Sequence, residues 1–337
     1  MIVKRCLVPF QILRAVLKKG GRIILALSIG LLLTYPASAQ KVNNSTISSN
    51  STAKIAPNKA ESFIGLSDKD VEETIRTYRS VNASESLKNF LVKMPPAVTD
   101  SKIREEILRK LPAVIQQLKI EDDKAVQFFH NLIAPVLKLY GRENAYNIVI
   151  FRHSTPMMFS DTGVVIVISS GMIERAESDD ELLGFVAHEV GHEYFAKYSI
   201  YSKYLLKLID EGDGEIALKN KLSGMLALIE LQCDSFAALT LANLNYQPLA
   251  FIEAMERTTR DFPNHGTGFH PPDAIRRSVV SKVAPERSLV VNVRQSLNLQ
   301  KLKRLLNTRS SQSHLDKKLP ASFDVKQKTL LPFSTLF

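Results

Sequence analysis

The pentapeptide His188-Glu189-Val190-Gly191-His192 carries the residue types and spacing of metal chemistry. Residues four apart lie one turn apart on the same helical face, so His188 and His192 can direct two imidazoles at one point, the start of a tetrahedral zinc site. Glu189 is rotated away from those nitrogens but stays beside the same spot. That suits a carboxylate that takes a proton from a zinc-polarised water without itself ligating the metal. Gly191 leaves room for another backbone or a substrate to come close. The preceding run Leu182-Leu183-Gly184-Phe185-Val186-Ala187 is apolar, so the helix is expected to be buried, where imidazoles need partners that a metal supplies. The competing reading is a structural helix with two satisfied core histidines and an accidental motif.

A catalytic zinc takes three protein ligands and leaves one position for water. The candidate third ligand is Glu230, within Ile229-Glu230-Leu231-Gln232-Cys233-Asp234 and preceded by the apolar Met225-Leu226-Ala227-Leu228. A lone carboxylate in such a run is costly unless it meets a cation. Asp234, one turn further on, could receive the remaining N–H of a ligating histidine and fix its orientation. The alternative is that Glu230 and Asp234 line a solvated helical stripe.

These residues require helices to carry them and something to brace the helices. Apolar residues recur at helical spacing from Ser67 to Val92 and from Ser101 to Tyr140, with Pro95-Pro96 as the break between. Tyr146–Phe151 and Gly163–Ser169 read as short strands, with Ser154-Thr155-Pro156 and Ser160-Asp161-Thr162-Gly163 supplying turn chemistry. Ser178 or Asp179 caps a helix expected to run to about Tyr198. A further helix is expected from about Gly214 through Leu244, and a short one from Pro271-Pro272 through Val283. No solenoid repeat is present.

The N-terminus is a different kind of segment. Lys4, Arg5, Arg14, Lys18, Lys19 and Arg22 precede an apolar run from Ile23 to Leu33, followed by Pro36-Ala37-Ser38-Ala39-Gln40. Basic region, short apolar region and small-residue site together make a secretory signal peptide, cleaved near Ala39. The alternative is an uncleaved signal anchor that tethers the chain to a membrane. Cleavage removes six basic residues and no acidic ones, so the formal charge falls from +10 to +4. The basic pI therefore does not argue for a nucleic-acid partner. Cys6 leaves with the signal and Cys233 remains, which excludes an intrachain disulfide in the mature chain. The domain organisation follows: signal peptide 1–39, flexible Asn/Ser/Thr-rich linker 40–62, helical region 63–142, a core carrying the candidate zinc site 143–290, and a C-terminal helix with a basic tail 291–337.

From about Asn147 to Val280 the sequence resembles the HtpX-like and prenyl-protease-like zinc metallopeptidases, which belong to the gluzincins. The resemblance is carried by Ile168-Ser169-Ser170-Gly171-Met172-Ile173, Asp180-Glu181-Leu182-Leu183, Ala187-His188-Glu189-Val190-Gly191-His192, Glu230 with Asp234, and His270-Pro271-Pro272 followed by Arg276. It implies an α+β zincin-like domain, mostly helical, with a small sheet beside the H-E-x-x-H helix. It further implies one Zn2+ per chain held by His188, His192 and Glu230, with Glu189 as general base and Asp234 behind a ligating histidine. His270 and Arg276 would then stabilise charge on the scissile carbonyl oxygen. His265 and Arg277 are their rivals by spacing. The implied activity is that of a zinc metalloendopeptidase acting on polypeptide substrates, namely unfolded or misassembled cell-envelope proteins, in a periplasm or outside the cell. Peripheral association with envelope membranes or membrane-protein assembly machinery goes with that reading. The alternative is a low-activity, zinc-containing chaperone or scaffold of the envelope.

Three positions depart from the family pattern. Pro156-Met157-Met158-Phe159 stands where Asn-Ala-Phe is common in the strand beside the active site. Glu193 is charged where an uncharged residue is usual, and Cys233 replaces a small residue such as Ala.

Overall fold

A computed structural model describes residues 66–79, 94–161, 163–197, 215–262, 270–284 and 297–310. The expected signal peptide, the linker, His265 and nearly all of the basic tail lie outside these residues. The helices are α1 (Asp68–Arg79), α2 (Ser101–Lys110), α3 (Ala113–Leu118), α4 (Asp123–Leu139), α5 (Ser170–Arg175), α6 (Asp179–Lys197), α7 (Glu215–Asn243), α8 (Ala250–Asp261), α9 (Asp273–Val283) and α10 (Leu297–Ser310). The strands are β1 (Asn147–Phe151), β2 (Met158–Asp161) and β3 (Val165–Ser169). The architecture is mostly helical with one small mixed sheet.

The stretch read as helical from Ser101 to Tyr140 is three helices. Asp100 caps α2 by accepting from the backbone N–H groups of Lys102 and Ile103, and Asp122 caps α4 by accepting from those of Lys124 and Ala125. Two carboxylates that accept from orphan amide donors thus restart the chain where apolar spacing alone runs on. Pro112 marks the break before α3, because its ring restricts the preceding residue to extended backbone.

The sheet order is β1-β3-β2, with β1 parallel to β3 and β2 antiparallel to it. Central β3 is buried along its whole length, and its alternating side chains serve two cores. Ile166 and Ile168 join Ile148 and Ile150 in the main core with α4, α6 and α7. Val165 and Val167 join Val149 and Phe151 against Leu111 and Ile115. The short helices α2 and α3 therefore cover the face opposite the main core. Strand β2 was not legible: Ser160 and Asp161, read as turn residues, pair with Ile166 and Val165. Pairing across a hairpin, rather than propensity, makes this polar stretch extended.

Helices α6 and α7 pack along one another through the middle of the domain. Over 182–195 and 223–243 both are mostly buried, which explains why their apolar residues run continuously instead of in a single stripe. Ser223–Asn243 of α7 is long and apolar enough to cross a membrane, but 78% of that apolar window is buried within the domain. A Cβ placed on Gly191 would stand 3.3 Å from Cys233 Cα. A side chain at 191 would therefore fit only if its neighbours on α7 gave way by a few tenths of an ångström. Helix α9 packs on α7, and α1 packs on both.

Candidate metal centre

His188, Glu189 and His192 all lie on α6, and Glu230 and Asp234 on α7. The close α6–α7 packing brings the two sets together. One ligand atom from each of His188, His192 and Glu230 falls within 4.8 Å of the others. His188 Nε2 lies 3.1 Å from His192 Nε2 and 3.3 Å from Glu230 Oε2, and His192 Nε2 lies 3.5 Å from Glu230 Oε1.

The donor set fits a zinc ion, on two grounds. His188 Nδ1–H donates to Asp234 Oδ1 at 3.0 Å, which turns Nε2 toward His192 Nε2 and leaves it as the nitrogen that would carry the lone pair in the neutral ring zinc requires. Two imidazole nitrogens 3.1 Å apart beside a buried carboxylate can share one cation as ligands. Glu230 Oε2 is buried and has no hydrogen-bond partner among the described residues. A buried carboxylate oxygen of that kind is costly without a cation.

Electrostatics bind the cluster together. Burial would raise the Glu230 carboxyl, but His270, His192 and His188 hold it well below the ordinary carboxylate range. Burial likewise opposes ionisation of Asp234, and Arg276 overrides it, so that carboxyl is also lowered. Burial would depress the His188 imidazole, yet Asp234 and Glu230 raise it to about 10. His192 is lowered by its burial. Burial, reinforced by Glu230 and Asp234, pushes the Cys233 thiol well up. Cys233 therefore stays an S–H group 3.4 Å from His192 Nδ1, behind the ligand rather than among the ligands.

His270 sits just before α9 with a side chain 44% exposed, and its Nε2 is 3.3 Å from Glu230 Oε2. It stands at the mouth of the cluster. Arg276 stands behind it. Its Nε and Nη2 donate to the two oxygens of Asp234, each at 2.7 Å. Nη2 is 3.8 Å from Glu230 Oε2, and the residue is only 3% exposed. The guanidinium that the resemblance placed beside a scissile carbonyl is thus directed at the carboxylate that orients His188. Arg277 points elsewhere, donating to both oxygens of Glu256 at 2.6 Å. Successive helical residues are about 100° apart, so one arginine faces inward and its neighbour outward.

Glu189 faces strand β2. Its Oε2 accepts from Ser160 N–H at 2.8 Å, and its carbonyl accepts from Ser160 Oγ–H at 3.1 Å. Because Ser169 N–H donates to Met157 O, antiparallel alternation turns the backbone groups of Met157 and Phe159 toward β3 and those of Met158 and Ser160 outward. The outward edge of β2 therefore runs past Glu189. Sequence reasoning missed Ser160, since a serine in a polar stretch carries no signal of strand pairing.

Residues 124–208 match the family model of peptidase family M48. No curated protein matches the chain. The M48 segment runs from α4 through the sheet to α6 and includes His188, Glu189 and His192. It supports a zinc metallopeptidase domain. Glu230, Asp234, His270 and Arg276 lie beyond the M48 match, and tertiary packing alone joins them to its histidines.

Proposed function

We propose that this chain is a zinc-dependent metalloendopeptidase whose ligands are His188, His192 and Glu230. The observation that carries the reading is the convergence of those three donors within 4.8 Å around a buried Glu230 oxygen without a hydrogen-bond partner. Zinc bound there supplies a Lewis acid that polarises a peptide carbonyl and acidifies a water.

The protein's own groups do the rest. Glu189 is the general base, and Ser160 N–H holds one oxygen of its carboxylate in place. Asp234 holds His188 in the Nδ1–H tautomer, and Arg276 keeps Asp234 charged and in place. Arg276 is thus a positioning residue, acting through Asp234. His270, half exposed beside Glu230, is the group from which an N–H can meet charge developing on a substrate oxygen. An extended peptide lies along the outward edge of β2, taking main-chain hydrogen bonds from it as an added strand. That mode reads backbone more than side chains, which favours unfolded polypeptides. The N-terminal export pattern supports an activity in a cell envelope, with misassembled envelope proteins as the proposed substrates. The N-terminus is removed near Ala39 or kept as a membrane tether.

The test compares wild type with Glu189→Gln, each purified with its zinc content measured, on a chemically unfolded test protein. Wild type should degrade it, and the variant should retain zinc while degrading it about 10²–10⁴-fold more slowly. Equal, slow rates with zinc bound would refute the enzyme and favour a zinc-containing chaperone or scaffold. Protein without stoichiometric zinc would sink both readings.

A further inference from the structure

The β2–β3 hairpin touches α6 at two places one turn apart. The first is Ser160 on Glu189. The second is Gly163, at a φ of +70°, where a Cβ would come within 2.8 Å of Glu193 Cδ and Oε1. The hairpin turn therefore rests directly on the Glu193 carboxylate.

Glu193 is in turn held from the other side. Arg142 Nη2 donates to its Oε1 at 2.7 Å, and Arg142 Nε lies 3.1 and 3.2 Å from its two oxygens. Tyr146 O–H donates to Oε2 at 2.5 Å. Arg142 also donates to the carbonyl of Pro95, tying in the segment that leads to α2. The Arg142 and Glu193 side chains are 6% and 8% exposed, and Tyr146 is buried. Withdrawing this pair from water is expensive, and an apolar pair of similar shape would serve stability as well or better. Among the described residues, the side-chain hydrogen bonds of Arg142, Glu193 and Tyr146 join them to one another and to Pro95, and not to the zinc-ligand candidates. What a directional, fully bonded cluster provides that apolar packing does not is a fixed height and angle for whatever rests on it.

We infer that Arg142, Glu193 and Tyr146 form a clamp that sets the position of edge strand β2 over Glu189, and with it the seating of an extended peptide substrate. The inference rests on the peptidase reading for its second half only. The clamp residues touch neither substrate nor metal, so they are positioning residues. They act on the long-range grip of the chain and leave the bond-breaking groups as they are. Peptides long enough to run along β2 should feel the clamp, and peptides that span only the scissile bond should not.

The experiment uses the zinc-loaded full chain as wild type, Glu193→Gln, and the double variant Arg142→Gln/Glu193→Gln. The double variant removes both charges and so avoids an unpaired buried ion that could unfold the single one. Hydrogen exchange is followed over residues 157–165, together with kcat and KM on a ten-residue peptide and on a blocked dipeptide. In both variants exchange over 157–165 should quicken about tenfold or more. KM for the long peptide should rise about tenfold, with kcat within about threefold and the dipeptide unaffected. Zinc stoichiometry should be unchanged. Unaltered exchange and KM in both variants would overturn the clamp, as would loss of zinc from both, which would make Glu193 a prop for the ligand helix. If the wild type binds zinc and cleaves neither peptide, the peptidase reading fails while the exchange measurement still decides the clamp.

Discussion

Replacing Arg276 by glutamine separates two roles for this arginine that the motif cannot distinguish. Arg276 makes two 2.7 Å hydrogen bonds to Asp234, a carboxylate with no solvent exposure. In Arg276→Gln that carboxylate keeps His188 Nδ1–H at 3.0 Å but loses its neutralising charge. Breaking a buried pair by removing one partner costs about 3–5 kcal/mol. For a domain of this size that lowers the melting temperature by about 6–20 °C. Loss of the outer partner of a metal-ligating histidine costs about 10–100-fold in metal affinity. Arg277→Gln is the control, since Arg277 bonds the part-exposed Glu256, and such pairs contribute about 1 kcal/mol or less. The assays are zinc competition against a chromogenic chelator and thermal unfolding of the metal-free protein. If Arg276 instead stabilised charge on the substrate, Arg276→Gln would keep wild-type zinc affinity and melting temperature and lose about 10²–10³-fold in kcat. That pattern would refute the positioning role.

Two further outcomes follow from the same geometry. In the metal-free protein His188 is raised from 6.5 to about 10, so its contribution to stability is complete below pH 6.5 and is lost as pH rises toward 10. Zinc needs the neutral ring, so the melting-temperature gap between zinc-loaded and metal-free protein should widen from pH 6.5 to 9; a constant gap in calorimetry would count against the His188–Asp234–Glu230 arrangement. Gly184 lies one turn before His188, and a Cβ there would come 2.5 Å from Phe251 Cβ. Gly184→Ala should therefore destabilise by about 1–3 kcal/mol in urea unfolding by forcing α6 from α8, and an unchanged midpoint would show that the two helices are not packed as described.

The elements legible in the sequence are those whose signal is local. The start of α6 at Asp179 follows from Ser178, whose Oγ accepts from Glu181 N–H, and from three acidic residues in the first turn. Strands β1 and β3 follow from β-branched runs buried on both faces. Strand β2 was hidden because its extended form comes from pairing with β3, and the breaks within 101–140 were hidden because apolar spacing continues across them. Glu193 stood out as an unusual charge, but Arg142 and Tyr146, 51 and 47 residues away from it, carried no sign of meeting it.

The sequence by itself determined that His188 and His192 share one helical face with Glu189 beside them, because a four-residue step is a property of the helix alone. It also marked Glu230 as a carboxylate out of place in an apolar run, with Asp234 one helical turn beyond it. Only tertiary structure decided which atoms those carboxylates meet, that Arg276 and not Arg277 turns inward, and that β2 passes over Glu189. Each of these depends on how α6, α7, α9 and the sheet pack. Packing is set by shape and burial across distant parts of the chain, and by contacts as close as Gly191 on Cys233, which no local pattern encodes.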